Sequence, residues 1–126
     1  MNKVYIYKIP TPPSVNALWR ISGRRMYRSK KYMDWLREVE IALASEPKPD
    51  INYNFNIEIV VGRPRRKDGS ISTRKSDIDN KVKGVLDSFQ HLGIIREDYL
   101  ANRVSVMWSI DIEDCLVTIS AADVAM

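Results

Sequence analysis

Cysteine, histidine and long apolar runs are nearly absent from this 126-residue chain. Because Cys115 is the only cysteine, no disulfide can form within the chain, and we expect a cytoplasmic protein rather than one from an oxidising compartment. His91 is the only histidine, so a zinc site is not expected. No segment approaches the roughly 20 apolar residues that cross a bilayer, and the N-terminus lacks the apolar core of a signal peptide. We therefore expect no targeting or membrane segment.

Length and composition favour a single folded domain over residues 1–126. Hydrophobic residues make up 44% of the chain and charged residues 29%, a balance that supplies a core and differs from that of disordered proteins. A second core would need a longer chain, because domains usually contain about 100–150 residues.

Basic residues concentrate in two segments of a chain whose formal net charge is +4. Residues 20–31 hold six of the 20 lysines and arginines and no acid, and residues 63–83 hold eight more with three acids. Such segments attract polyanions, although a merely solvated basic loop has the same composition, and charge alone does not distinguish the two. The candidate DNA contacts are Arg24, Arg25, Arg65, Arg66, Lys67, Arg74 and Lys75.

Apolar residues recur at helical spacing in two segments, and in both we expect the apolar stripe to face the core. Ser29 is a suitable N-cap for a first helix over residues 30–45, which ends before Pro47. Its apolar stripe consists of Met33, Leu36, Val39 and Leu43. The second helix covers about residues 80–91 and is closed by Gly93. Its stripe consists of Val82, Val85, Leu86 and Phe89.

Four segments have the composition or alternation of strands. They are residues 4–9, 53–61, 104–110 and 115–121. The basic residues 20–31 and 62–70 are predicted to be loops, the first turning at Gly23 and the second mobile until a ligand orders it. Helices interleaved with strands predict a small α/β (α+β) domain, a mixed sheet with helices packed on it, whose strand order the sequence does not specify.

Three carboxylates and a lysine lie in or just after the second basic segment. If residues 77–79 are extended, Asp77 and Asp79 point to the same face, because strand side chains alternate. With Asp98 they offer the oxygen ligands that Mg²⁺ prefers, and such an ion can activate water for attack on a phosphodiester. Lys83 would then neutralise charge that develops on the phosphate.

Each of these residues also has a structural interpretation. Asp77 and Asp79 precede a predicted helix and could serve only as caps. Lys83 could simply pair with Asp79 or Asp87, a surface contact worth about 0.3–0.5 kcal/mol. Taken singly, the residues leave open a non-catalytic basic DNA-binding protein.

The remaining reactive and aromatic side chains are assigned to structure. We expect His91 to be a helix-end or surface residue and Cys115 to be a buried thiol. Trp19, Tyr27 and Tyr32 flank the first basic segment, where stacking on unpaired bases is possible but core or dimer packing is favoured.

The order and spacing of the acidic cluster resemble the RusA family of Holliday junction resolvases. From Asp77 the chain reads Asp-x-Asp-Asn-x-x-Lys-x-x-x-Asp-x-Phe-x-x-x-Gly, and Asp98 follows five residues after the glycine. The stretch Pro-x-Pro-Pro-Ser-x-Asn at residues 10–16 is similar to the family too. Glu97 departs from the pattern, since many members have aspartate there, and the loop over residues 62–73 is longer than in short relatives.

The resemblance implies a homodimeric endonuclease, dependent on Mg²⁺ with Mn²⁺ as a substitute, that makes paired symmetric nicks in four-way DNA junctions during recombination and repair. It implies Asp77, Asp79 and Asp98 as metal ligands and Lys83 as an essential lysine, and it leaves Asp87 a structural role. It also implies a bacterial or phage-encoded protein. Paired nicks need two active sites, hence a symmetric dimer. A magnesium-dependent nuclease for other branched DNA is the alternative.

Overall fold

The computed structural model describes residues 3–14, 19–22, 25–72 and 77–122. Its strands and helices are β1 (Val4–Ile9), β2 (Trp19–Ser22), β3 (Arg25–Arg28), α1 (Lys30–Ala42), β4 (Phe55–Gly62), α2 (Val82–His91), β5 (Ala101–Ser109) and β6 (Cys115–Ala121). Two short 3₁₀ turns, Ile78–Lys81 and Asp98–Leu100, lead directly into α2 and β5. None of the helices in these ranges is long and apolar enough to cross a membrane.

Four strands form one mixed sheet in the order β1-β6-β4-β5. β6 runs antiparallel to both of its neighbours, whereas β4 and β5 are parallel. A parallel pair needs a crossover connection, and the segment containing α2 supplies it. The mixed sheet predicted from the sequence is therefore confirmed. The crossover matters for function because it carries the acidic residues.

One face of this sheet carries the core. In β4, alternate residues are buried because strand side chains alternate between the two faces. The residues of β4, β1 and β6 that share this face are Phe55, Ile57, Ile59, Val61, Tyr7, Ile9, Cys115, Val117 and Ile119. Residues of both helices complete the same cluster, among them Trp35, Val39, Val85 and Phe89. The prediction of helices packed on a sheet is thus confirmed.

The first helix begins where the sequence predicts, and its buried face differs from the predicted stripe. It ends at Ala42, three residues before the predicted end. Met33 is 40% exposed, so its assignment to the core is wrong, while Tyr32 and Trp35 are buried. These two aromatic residues have helical spacing with Leu36 and Val39, and burying their large rings removes more apolar area from water than burying Met33 would.

The N-cap of α1 gives a stability prediction. The Tyr32 backbone N–H donates a hydrogen bond to Ser29 Oγ at 3.1 Å, and this contact is buried. Ser29→Ala removes the acceptor and is expected to lower the free energy of unfolding by about 1 kcal/mol. Ser29→Thr keeps a hydroxyl and is the matched control. Urea unfolding followed by tryptophan fluorescence measures both variants, and equal stabilities would contradict the capping role.

The first basic segment contains strands where a loop was predicted. β2 and β3 pair antiparallel, with Trp19 opposite Arg28 and Ser22 opposite Arg25. The loop prediction is therefore wrong for both strands. Only two residues connect them, one of which is Gly23, a spacing typical of a hairpin.

The second basic segment begins with a loop, as predicted, and backbone hydrogen bonds connect the two sides of that loop. Arg65 and Ile71 form an antiparallel bridge, and the Ser72 N–H donates to the Pro64 carbonyl at 2.8 Å. The Arg66 N–H donates to the Ser70 carbonyl at 2.8 Å. Backbone hydrogen bonds therefore close residues 64–72 into a narrow loop, so the loop itself is confirmed and its ordering by a ligand stays a prediction.

Candidate active site

The first two acidic residues lie at the entrance to α2, but they do not share a strand. Asp77 is extended, with φ −81° and ψ 123°, whereas Asp79 lies inside the 3₁₀ turn Ile78–Lys81. The condition on which Asp77 and Asp79 would point to the same face, an extended segment over residues 77–79, is therefore met only at Asp77. Both side chains are exposed, so their carboxylates remain open to solvent and to a ligand.

The capping interpretation of these two residues is wrong. Asp77 occupies the N-cap position of the 3₁₀ turn without a capping hydrogen bond from its side chain, and the N-cap position of α2 belongs to Lys81. Within the described ranges, no hydrogen bond or ion pair engages the side chain of Asp77 or Asp79. Two exposed carboxylates beside a basic segment thus have no structural partner there.

Lys83 lies in the first turns of α2 and is close to Asp98, the third carboxylate of the cluster. Its Nζ lies 3.1 Å from Asp87 Oδ1, one helical turn away, and 3.8 Å from Asp98 Oδ2, which comes from the far end of the crossover. The pairing with Asp87 that the sequence allowed is present, and the pairing with Asp98 is additional. The Lys83 side chain is 47% exposed, so its ammonium group also remains accessible.

Gln90 holds Asp98 near Lys83, a role that the sequence did not indicate. Its Oε1 accepts a hydrogen bond from the Asp98 backbone N–H at 3.3 Å, and its Nε2 donates to Glu97 Oε2 at 3.4 Å. Lys83, Asp87 and Gln90 follow one another at helical spacing and lie on one face of α2. This helical spacing was the only feature of the sequence that could have indicated Gln90 as part of the site.

The chain that leads to Asp98 is anchored to a distant loop. The Ile51 N–H donates to the Ile94 carbonyl and the Arg96 N–H donates to the Ile51 carbonyl, each at 2.9 Å. The Arg96 guanidinium also pairs with Asp50. These contacts between residues far apart in sequence fix where the second 3₁₀ turn begins.

The carboxylate oxygens of Asp77, Asp79 and Asp98 are of the type that a hard divalent cation prefers. In this conformation, however, the three carboxylates do not come together around one point. No group of three or more histidine, cysteine, aspartate or glutamate residues within the described ranges is arranged to hold a metal ion. Mg²⁺ usually keeps several waters and is bound through one or two carboxylates together with phosphate oxygens of the substrate. The exposed carboxylates of Asp77 and Asp79, and the Asp98 carboxylate beside the Lys83 ammonium, fit a site of that kind, in which oxygens of the substrate would complete the coordination.

Lys81 is a second lysine near the acidic turn. Its Nζ donates a hydrogen bond to the Pro12 carbonyl at 2.9 Å, which ties the acidic turn to the proline-rich segment after β1. Burial lowers the pKa of Lys81, and the positive charge of Lys31 adds to the effect. Lys81 is therefore a fixed, partly desolvated cation two residues after Asp79.

The predicted DNA contacts differ in what the structure shows of them. Arg65 donates to the carbonyls of Gly69 at 3.2 Å and Ile110 at 2.6 Å, so its guanidinium secures the loop to the end of β5. Arg66 and Lys67 are exposed in the same loop. Arg25 lies in β3, but its side chain is outside the described part. Arg24, Arg74 and Lys75 also lie outside the described residues.

Arg63 is a further basic residue beside this loop that was not singled out from the sequence. Its guanidinium carbon lies 5.1 Å from the centroid of the Trp108 ring, in a cation-π contact. The contact holds a cation at the end of β4, on the loop that carries Arg66 and Lys67. The sequence signal was only its place in the basic run.

Three residues assigned to structure are confirmed as such. His91 Nε2 lies 3.3 Å from Glu40 Oε1 at the surface, where α2 ends. Cys115 is buried, and burial with the nearby charge of Asp114 raises the pKa of its thiol to about 12, so the thiol is protonated at neutral pH. Tyr32 is 1% exposed and belongs to the core. The side chains of Trp19 and Tyr27 lie outside the described part.

Comparison with known proteins decides the family. Residues 10–119 match the family model of the endodeoxyribonuclease RusA, a range that includes the whole acidic cluster. The chain belongs to the RusA family. It is therefore a nuclease, and a purely DNA-binding role is not retained.

Two relatives are similar over most of the chain. The crossover junction endodeoxyribonuclease RusA of Enterobacteria phage HK97 is 31% identical over 96 residues, which cover 75% of this chain and 73% of the relative. The protein of the same name from Aquifex aeolicus (strain VF5) is 28% identical over 110 residues, which cover 86% of this chain and 81% of the relative. In both comparisons the similarity covers at least 73% of each chain, which supports the RusA family assignment.

Proposed function

We propose that this RusA family nuclease resolves Holliday junctions, by magnesium-dependent, paired and symmetric nicking of four-way DNA. The observation that carries the proposal is the position of Lys83, whose ammonium group lies 3.8 Å from Asp98 Oδ2 and which follows Asp79 by four residues. An accessible cation close to carboxylates suits a phosphodiester, because it can neutralise charge on the phosphate. The names of both relatives support four-way DNA as the substrate.

The side chains have separate roles in this proposal. Asp77, Asp79 and Asp98 would hold the metal ion, which supplies Lewis-acid activation of water and of the phosphate. Lys83 binds a non-bridging phosphate oxygen and stabilises the charge that develops there. Gln90 positions Asp98 by accepting a hydrogen bond from the Asp98 backbone N–H. Asp87 contacts Lys83 within α2 and has only a structural role.

DNA binding and assembly complete the proposal. The basic residues Arg66 and Lys67, with Arg24, Arg25, Arg65, Arg74 and Lys75, would contact backbone phosphates, whose attraction is independent of sequence and weakens with salt. Two copies of the chain would form a symmetric dimer, because coordinated nicks in two strands need two active sites. The protein would act in the cytoplasm, in recombination and repair.

The direct test uses purified protein with end-labelled DNA of several shapes. A four-way junction, a flap and a linear duplex are each incubated with Mg²⁺ or with EDTA, and the products are mapped on sequencing gels. We expect symmetric nicks in the junction with Mg²⁺, none with EDTA, and little cleavage of the duplex. Preferential cleavage of the flap would replace this proposal with the alternative of another branched substrate.

A further inference from the structure

A cavity of about 330 Å³ lies between the end of β3 and α2 and has no role in the function proposed above. Two of its lining residues, Lys83 and Gln90, also contact Asp98. The cavity is therefore directly beside the place where a scissile phosphate would bind. It is lined by Arg28 at the end of β3 and by four residues from one face of α2, which are Lys83, Asp87, Gln90 and His91.

Arg28 is an exposed cation whose position is restrained by an aromatic ring. Its guanidinium carbon lies 5.5 Å from the centroid of the Tyr32 ring, in a cation-π contact. Tyr32 is buried and stacks on Trp35 with ring centroids 5.9 Å apart, so the surface against which the guanidinium packs belongs to the core. Because this surface limits the conformations of Arg28, the side chain would lose less conformational entropy when it binds a ligand.

Arg28 differs from the other basic residues of the cavity in having no acidic partner. Lys83 pairs with Asp87, and His91 Nε2 lies 3.3 Å from Glu40 Oε1. No ion pair or hydrogen bond engages the Arg28 guanidinium within the part of the chain that the structure describes. Its N–H donors are therefore available to an anion, and a guanidinium can bind a phosphate through two parallel hydrogen bonds.

The place of the cavity suits a second phosphate of the strand that is cut. Every nucleotide of a DNA strand carries one negative charge. A strand whose scissile phosphate contacts Lys83 therefore has its neighbouring phosphates on either side of that lysine. The cavity extends from Lys83 along α2, away from the acidic turn, and Arg28 lies on its opposite wall.

We propose that Arg28 binds the phosphate adjacent to the scissile phosphate and thereby orients the strand for cleavage. The inference rests on the proposed function, because it takes the acidic cluster as the site of cleavage. It adds Arg28 to the candidate DNA contacts and makes it a positioning residue. Lys83 contacts the scissile phosphate and Arg28 contacts its neighbour, so the two cations together set the direction in which the strand crosses the site.

The first experiment locates this phosphate by binding, without cleavage. A neutral methylphosphonate linkage replaces one phosphate at a time near the crossover of a four-way junction, and affinity for the Asp79→Asn protein is measured at fixed salt. We expect one linkage to weaken binding by about tenfold only while Arg28 is present, the size of one charge-assisted hydrogen bond. Adding Arg28→Met should abolish the effect of that linkage alone. Linkage effects that are the same with and without Arg28 would overturn the proposal.

Two further variants control for charge and for folding. Lys8→Met removes an exposed cation from the sheet face opposite the helices, since its neighbours in β1 face the core, and it should leave every linkage effect unchanged. Arg28→Lys keeps the charge without the planar pair of donors, so the effect should stay at the same linkage and become smaller. Thermal unfolding checks each fold, and Arg28→Lys continues the test if Arg28→Met does not fold. A full-size effect in Arg28→Lys would contradict a two-bond contact.

The second experiment tests whether Arg28 orients the strand. Single-turnover cleavage is measured at saturating protein with Asp79 intact. We expect Arg28→Met to reduce the rate about tenfold, the neutral linkage to reduce the wild-type rate similarly, and the two changes together to cost no more than either alone. A variant that only disturbs the fold would lose rate independently of the linkage. Losses that multiply would therefore refute the contact.

These outcomes separate the inference from the function on which it rests. Wild-type protein that nicks junctions, with binding that shows no Arg28-dependent linkage, would leave the proposed function and remove the phosphate site. An Arg28-dependent linkage in a protein that nicks no junction would leave the phosphate site and remove the function. The Arg28-dependent linkage should lie next to the bond that wild-type protein cuts, and a linkage farther away would refute the assigned position.

Discussion

Lys83→Met is expected to reduce junction cleavage by about 100- to 1,000-fold, the usual cost of removing one group that stabilises charge in the transition state. The fold should survive, because the contacts of Lys83 with Asp87 and Asp98 are at the surface, and exposed ion pairs contribute only about 0.2–1 kcal/mol. Single-turnover cleavage rates at saturating protein, together with a thermal unfolding curve, separate the two effects.

Asp87→Asn is the matched control for this variant. It removes the 3.1 Å contact of Lys83 within α2 while leaving the lysine itself. If Lys83 matters only as half of that pair, both variants should lose the same activity. We expect Asp87→Asn to keep most of its cleavage rate, and equal losses would contradict a direct role of Lys83 on the phosphate.

Phe89→Ala is expected to lower the free energy of unfolding by about 3–5 kcal/mol, the usual cost of removing a buried phenyl ring. Phe89 is fully buried where α2 meets the sheet, and its ring contacts the Tyr7 ring edge-on with centroids 5.3 Å apart. A domain of this size has about 5–15 kcal/mol in total, so much of its stability would be lost. Urea denaturation measures the change.

Met33→Ala is the control that the structure provides. The sequence placed Met33 in the core, but it is 40% exposed, so its removal should lower the free energy of unfolding by about 1 kcal/mol or less. A large loss from Met33→Ala, or a small one from Phe89→Ala, would mean that α1 and α2 present other faces to the sheet.

The core elements were predictable where a single periodicity governs a segment. In β4 every second residue from Phe55 to Val61 is buried, as the alternation predicts. α2 was expected to be closed by Gly93, and that residue has φ +79°, a conformation that glycine adopts without strain. In α1 two stripes overlap at Leu36 and Val39, so spacing alone could not show that Tyr32 and Trp35 are buried and Met33 is not.

The basic segments were harder to predict because their strands are only four residues long, and an alternation over so few residues also occurs in loops. β2 and β3 are defined by their hydrogen-bonded ladder, which pairs Trp19 with Arg28 and Ser22 with Arg25. In the loop over residues 64–72 the guanidinium of Arg65 bonds to the carbonyl of Ile110, a partner 45 residues away. Contacts of that kind depend on how β4 and β5 are placed in the sheet, which local sequence does not specify.

The residues of the candidate site could be predicted from the sequence, but their positions relative to one another in space could not. Sequence spacing placed Asp77, Asp79 and Lys83 near one another, because few residues separate them. The approach of Asp98 to Lys83 depends on Gln90 and on the pairing of residues 93–96 with Ile51, which are tertiary contacts. The sequence named Asp98 as a third carboxylate, and the family spacing supported that choice, but neither showed how Asp98 reaches Lys83.

Cleavage of a four-way junction by Asp79→Asn tests the central claim most directly. Asp79 is exposed, and no hydrogen bond or ion pair in the described ranges engages its side chain, so the substitution should leave the fold and DNA binding intact. Asp68→Asn, which changes another exposed acid of the same basic segment, is the matched control. We predict undiminished junction binding by both variants and a loss of cleavage of at least about 100-fold with Mg²⁺ for Asp79→Asn alone. Cleavage by Asp79→Asn at the wild-type rate would contradict the assignment of the acidic cluster as the active site.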